Sequence, residues 1–391
     1  SGTQLGSQSS LMRKEWPLLL GAVVLIGLYT THLLDWLLLQ SATLVLGGLG
    51  GLSLLILLLA RRIASQADYL AEKLGEPIGT LVLTGSVILI ELALVTSTML
   101  SGESNPTLAR DSMFSVLMIV LTGVKGITLI LASRFQTSGI TEPFQPEDMA
   151  TVNQSGASTY INLITTMSVL VLVLPNFSSD SPEANFSLPI NWLLTVVAVG
   201  LYAAFLRFQT GSYRNLFLEA SKQLELPETK ASNGLHEASD GVNDTAIRSG
   251  ILMAIGLLVL VLIAESMGNL IEVGITELGL PSSLGGVLVG LLVVAPEALN
   301  AFQAANRGEV QRSLNTLYGS SLSTLCLTVP AVLFIGELTN TKVILGLNPM
   351  ECVLLVLTLI LVRPLSGRVS ELDGLMLLSV GLVWISLQVV S

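Results

Sequence analysis

Charge is scarce in this chain. Only 12% of its 391 residues are Asp, Glu, Lys or Arg, where a soluble domain carries about a quarter. With 51% hydrophobic residues and a mean hydropathy of +0.75, the apolar excess must face something other than water, which excludes a soluble globular protein. Histidine is rarer still. His32 and His236 are the only two, and there is no His-Glu-x-x-His, no Gly-x-Ser-x-Gly and no Walker loop. Enzyme readings therefore have no chemistry to rest on, and no cofactor is implied. A basic balance is also missing: the net charge of −10 argues against nucleic acid, which wants a basic face. The two cysteines, Cys326 and Cys352, lie far apart inside apolar runs. They read as packing residues, not as a disulfide framework.

What is present is a series of long apolar runs. A membrane helix needs roughly 20 mostly apolar residues, and eleven stretches qualify: 16–36, 38–60, 79–100, 112–133, 158–174, 190–208, 249–271, 284–304, 314–336, 343–362 and 372–390. The expected fold is an all-α polytopic membrane protein. The polar residues 1–15 read as a cytoplasmic tail. The run after Arg13 and Lys14 is too long for a signal peptide and has no small-residue cleavage pattern, so it reads as a true span. Basic residues orient the chain. With the N-terminus inside, fifteen Lys and Arg fall on the cytoplasmic side, only Arg110 and Lys342 fall outside, and Lys125 lies within a span. This predicts an N-in, C-out topology.

The longest polar segment follows the sixth span. Residues 209–247, with Glu219, Glu225, Glu228, Glu237, Asp240 and Asp244, read as a solvated cytoplasmic linker; cation collection is the alternative. The linker separates a first five-helix half (38–208) from a second (248–391), and span 16–36 is extra. Because five is odd, the halves start on opposite sides, the inverted-repeat plan of secondary transporters. Two site repeats, 75–133 and 281–336, carry the local evidence. Gly79 to Glu91 aligns without a gap with Gly285 to Glu297, and each is followed by an arginine opening the next helix: Arg110-Asp111-Ser112 and Arg312-Ser313-Leu314.

At 1.5 Å per residue, Glu91 and Glu297 each lie roughly 18 Å into their helices from opposite sides, which puts both near the middle of a core about 30 Å thick. A lone ionised carboxylate there costs on the order of 2.5–3.5 kcal/mol. Two at one depth suggest a shared cation or proton. Thr84 shares a face with Glu91. Pro296 cannot donate to the carbonyl of Leu292, which frees an oxygen beside Glu297 for a hard cation. Ser115 and Ser320 are hydroxyls on the partner helices, although such hydroxyls commonly bond their own backbone. The expected cation and proton site is Glu91, Glu297, Thr84, Ser115, Ser320 and the Leu292 carbonyl, with the two glutamates as metal ligands.

Other polar residues are candidates for helix starts and gates: Glu76, Arg110, Asp111, Arg312, Glu265 and Lys125. Glu76, beside Pro77, reads first as a cap that complements the helix dipole. Lys125 is expected to snorkel toward Arg134 in preference to pairing with Glu265. Glu265 could line an outer vestibule or serve as a gate.

At Gly75-Glu76-Pro77-Ile78-Gly79-Thr80, at Pro106 to Asp111, at Pro296-Glu297-Ala298 through Val310-Gln311-Arg312 and at Thr328-Val329-Pro330, the sequence resembles the ChaA-type sodium (potassium, calcium)/proton antiporters, a branch of the calcium/cation antiporter superfamily. The resemblance runs from about residue 60 onward. It implies ten core helices in two inverted halves plus one N-terminal helix, with an acidic residue from each repeat at the ion site, here Glu91 and Glu297. It implies Na+, K+, Ca2+ and protons as transported ions and a bacterial inner membrane as the setting, with lipid around the spans. One departure stands out. Calcium/proton exchangers of the wider superfamily place Gly-Asn ahead of each site glutamate, where this chain has Val87-Ile88 and Val293-Val294. Without those amides a calcium shell of six to eight oxygens loses neutral ligands, so sodium or potassium fits as readily. The functional expectation is a cation/proton antiporter working by alternating access. A cation channel, a Ca2+-selective proton exchanger and a purely structural membrane protein are the alternatives.

Overall fold

The computed structural model describes residues 15–74, 78–101, 106–138, 145, 149–178, 185–217, 239–363 and 366–390. In chain order the helices are α1 (Trp16–Thr30), α2 (Leu33–Leu38), α3 (Ala42–Leu74), α4 (Ile78–Ser101), α5 (Leu108–Met118), α6 (Lys125–Thr137), α7 (Gln154–Ser168), α8 (Leu188–Thr210), α9 (Ser239–Leu278), α10 (Ser283–Ala305), α11 (Val310–Ser323), α12 (Val329–Thr339), α13 (Pro349–Leu361) and α14 (Glu371–Val390). A two-residue antiparallel pairing joins β1 (Ala150–Thr151) to β2 (Arg368–Val369). Helix dominates for a physical reason: in hydrocarbon each backbone N–H and C=O must be satisfied within the segment.

Among the described residues, eight continuous helical segments are long and apolar enough to cross a membrane, and three shorter apolar helices accompany them, Trp16–Thr30, Gly85–Leu100 and Pro349–Leu361. Three of the eight spans contain a π-helical turn: in Leu108–Thr137 and Val310–Thr339 it is Ile119–Val124 between α5 and α6 and Thr324–Thr328 between α11 and α12. A third π-turn, Val169–Val173, ends α7.

Several expected boundaries move. The first apolar run breaks at Thr31–His32, where His32 takes a left-handed φ of 50°, so α1 stops at Thr30 and only the short α2 follows. Glu15, assigned to the tail, is buried and ion-paired with Arg62 of α3, while Gln66 donates to its Oε2 at 3.1 Å. The run 343–362 is not helical from its start. Ile344 N–H donates to the Pro106 carbonyl and Leu347 N–H to the Leu172 carbonyl, and Asn185 bonds both Val343 and Leu345. Helix α13 begins only at Pro349, behind a capping box in which Asn348 and Glu351 bond each other's backbone N–H.

The chain forms two compact units, residues 1–105 with 232–285, and 106–231 with 286–391. In the first, α9 runs along α3 and α4. Gly256 of α9 lies against Ile63, and Gly21 of α1 lies against Leu59 and Val259. In the second, α14 packs along α6 and α11 along α7, with Trp384, Tyr160 and Tyr318 among the largest fully buried side chains. Residues 1–14 and the linker core 218–238 lie outside the described residues.

Candidate functional site

Glu91 belongs to the first unit. It sits near the middle of the 24-residue α4 and is 1% exposed. Its neighbours on that helix, Ser86, Leu94, Val95 and Thr98, are buried as well, and Thr98 returns its hydroxyl to the carbonyls of Leu94 and Val95. At 1% exposure, the carboxylate at this position is not a solvated surface group. Thr84 is on the same helix, but its side chain lies outside the described residues, as does Glu76.

Glu297 belongs to the second unit, just past the middle of the 23-residue α10, which continues through Pro296. Proline has no N–H for the Leu292 carbonyl, and Leu292 is buried. Ser320 of α11 stands beside the Glu297 carboxyl, within reach to donate to it, and Oε2 of that carboxyl is sealed from solvent with no hydrogen-bond partner among the described residues. Ser313 ties α11 to the same helix by donating to the Ala301 carbonyl at 2.8 Å. Tyr202 of α8, itself buried, lies within electrostatic reach of Glu297. A carboxylate with one neutral donor and one vacant oxygen is equipped to take a proton or a cation.

Close helix approach positions α10. A Cβ added at Gly286 would meet Asp111 atoms of α5 at 2.6 and 2.7 Å, and one at Gly290 would meet Ser115 Cβ at 2.8 Å. Only glycine permits that spacing, the small-x-x-x-small arrangement of membrane helices. Ser115 is buried against this face. The other hydroxyls largely follow the bland expectation: Ser112, Thr122, Ser321 and Thr324 each bond a carbonyl one turn back on their own segment.

Of the other expected residues, Arg110 and Asp111 are brought together. Arg110 Nε and Nη2 reach Asp111 Oδ1 at 2.9 and 2.7 Å, Thr107 donates to Oδ2 at 3.1 Å, and Arg110 Nη1 donates to the Gly346 carbonyl at 2.7 Å. Glu351, which sequence reasoning missed, is 3% exposed, feels the charges of both residues and accepts from the Asn348 N–H at 3.2 Å. Its signal was the Asn-Pro-x-Glu start of α13, hidden inside an apolar run. Arg312 is exposed and pairs with Glu309 at 2.9 Å. Glu265 is exposed on α9.

Lys125 corrects an expectation. It does not snorkel toward Arg134, which pairs instead with Glu371 at 2.8 Å. The lysine is 4% exposed, its Nζ donates to the Val362 carbonyl at 2.6 Å, and it stands 5.0 Å from the ring centroid of Tyr318. A carbonyl just past the end of α13 supplies what the membrane interface would have offered.

A bundle of apolar helices with buried carboxylates, π-turns and glycine-mediated crossings defines an integral membrane protein of the ion-exchanger fold. The sequence matches the family described as sodium/calcium exchanger protein over residues 44–211 and 249–390, and the chain belongs to that family. It is similar to the sodium-potassium/proton antiporter ChaA of Escherichia coli (strain K12), 30% identical over 321 residues that cover 82% of each chain. It also matches a Ca(2+)/H(+) antiporter of Synechocystis sp., 25% identical over 222 residues, 54% of this chain and 59% of that one. Among solved structures, the Ca2+/H+ antiporter protein YfkE superposes with a TM-score of 0.66 at 16% identity, covering 97% of this chain and 99% of that one; at that identity the likeness concerns the fold.

Proposed function

We propose that this chain is a proton-driven antiporter that expels Na+, K+ or Ca2+ from the cytoplasm, with Glu91 and Glu297 taking up protons and a metal cation in turn. The carrying observation is the Glu297 carboxyl within a membrane helix, with Ser320 beside it and Oε2 sealed from solvent without a partner among the described residues. Glu91, buried at the corresponding point of an aligned helix, is its counterpart.

Proton and cation compete for the same oxygens. Binding a cation requires the carboxylates to be deprotonated, so cation arrival releases protons, and proton arrival releases the cation. Exchange follows if the empty, doubly ionised site is too costly to carry across the membrane. The inverted repeat that would support alternating access rests on the ungapped alignment of the two glutamate helices. It also draws on the matching interruption of the following helices, where Thr122 and Thr324 both sit in π-turns. The inside-positive vote supports an N-in, C-out orientation, and the likeness to ChaA supports a bacterial inner membrane.

A second reading, a Ca2+-selective proton exchanger, is favoured by the likeness to the Synechocystis protein. The test is a pH jump across proteoliposomes loaded with Na+, K+ or Ca2+. The antiport reading expects cation efflux that follows the proton gradient in sign and size, and the cation that moves fastest decides between the two readings. Ion flux indifferent to the proton gradient would favour a channel.

A further inference from the structure

A cavity of about 460 Å³ opens within the second unit, lined chiefly by residues of α6, α11, α13, α14 and the segment around β2, with Glu297 not among them. Its charge is lopsided. Lys125, Arg363 and Arg368 line it against a single acid, Asp373. That acid accepts at Oδ2 from both the N–H and the hydroxyl of Ser370 at 2.8 Å, and its charge offsets one of the three cations. Neither Arg363 nor Arg368 makes an ion pair among the described residues. Both are exposed, whereas Lys125 is buried. The cavity thus has two guanidinium groups at its rim, without an ion pair among the described residues, and the Lys125 side chain in its depth.

The walls are not those of a soluble-anion site. Leu129, Leu314, Ile360 and Met376 make much of the lining, and Ile360 and Met376 are 62% and 41% exposed, on the outer surface of membrane helices. One end is cationic and the other continues onto a lipid-facing surface, which is the complement of an amphiphile with an anionic head. Guanidinium groups hold phosphate oxygens in bidentate fashion, and basic pockets between membrane helices are suited to acidic lipid headgroups.

We propose that this cavity binds the phosphate of an anionic phospholipid, held by Arg363 and Arg368 at the rim and Lys125 within, with the acyl chains lying over Ile360 and Met376.

The test uses the full chain, delipidated in a mild detergent and titrated with mixed micelles of phosphatidylglycerol or phosphatidylcholine, or with inorganic phosphate. Bound lipid is read by native mass spectrometry and stability by thermal unfolding. Phosphatidylglycerol is expected to be retained and to raise the Tm, with little effect from the other two. The double variant Arg363→Gln/Arg368→Gln should bind it about thirtyfold more weakly, at roughly fivefold per lost charge. Arg363→Lys/Arg368→Lys, which keeps the charges, should retain the lipid and guards against a folding defect. Arg207→Gln/Arg214→Gln, on a different part of the unit, should leave binding unchanged. Equal binding of phosphatidylcholine, or equal loss in the Arg207/Arg214 control, would overturn the site. Protection by inorganic phosphate matching that of the lipid would assign the cavity to a soluble anion and overturn the lipid proposal.

Discussion

Ser320 of α11 stands beside the carboxyl of Glu297 on α10, whose Oε2 is sealed from solvent without a partner among the described residues. That relationship gives the candidate site its chemistry. A fully satisfied carboxylate would be a structural strut, and one with an unpartnered oxygen beside a hydroxyl retains a place for a proton or a cation.

Ser320→Ala should therefore weaken cation binding without unfolding the protein. A hydrogen bond to a charged group is worth about 1.5–3 kcal/mol, so the apparent KM for the exported cation should rise roughly tenfold or more. Initial rates of efflux from proteoliposomes measure it. An unchanged KM would mean that Ser320 only packs.

Competition fixes the sign of the pH dependence. Since the cation needs deprotonated carboxylates, the apparent KM should rise as the pH on the cation-loading side falls, while the maximal rate under a constant gradient changes less. A KM that falls on acidification would contradict a shared site.

Gly286→Val and Gly290→Val should each separate α10 from α5, because a Cβ at either position meets α5 atoms below 3 Å. Overpacking of this kind costs typically 1–3 kcal/mol, and the Tm in detergent should drop. Gly200→Val on α8, where an added Cβ meets nothing within 4 Å, is the control.

Arg110→Gln should be more damaging than a surface arginine variant. It leaves Asp111 and Glu351 buried beside each other's charge without their cation, a loss of about 3–5 kcal/mol for a broken buried pair. Asp111→Asn added to the variant should recover part of the Tm, and failure to recover any would show that the arginine acts through the Gly346 carbonyl alone.

Much of this was legible in the sequence, for reasons that differ by residue. Glu91 and Glu297 stood out because a carboxylate in an apolar run has no local explanation, and their matching position relative to a glycine needed no structure to see. Arg110 and Asp111 were visible for another reason, as the charged opening of the helix after the first repeat, matched in the second by Arg312. What stayed hidden depended on contacts distant in sequence. Residues 343–347 are apolar enough to pass for the start of a span, yet their backbone is satisfied by Pro106, Leu172 and Asn185. Lys125 finds the Val362 carbonyl, more than two hundred residues away. Glu15 is drawn out of its expected tail by Arg62. No periodicity announces such partners. The π-turns were equally silent, since their residues differ little from those of an ordinary helix.

The most direct measurement compares Glu91→Gln and Glu297→Gln with the unaltered protein in one proteoliposome assay, recording cation efflux and proton entry together after a pH jump. The account predicts that each variant inserts normally but loses coupled exchange, with neither ion moving in response to the other's gradient. Full exchange in either variant would contradict the two-glutamate site.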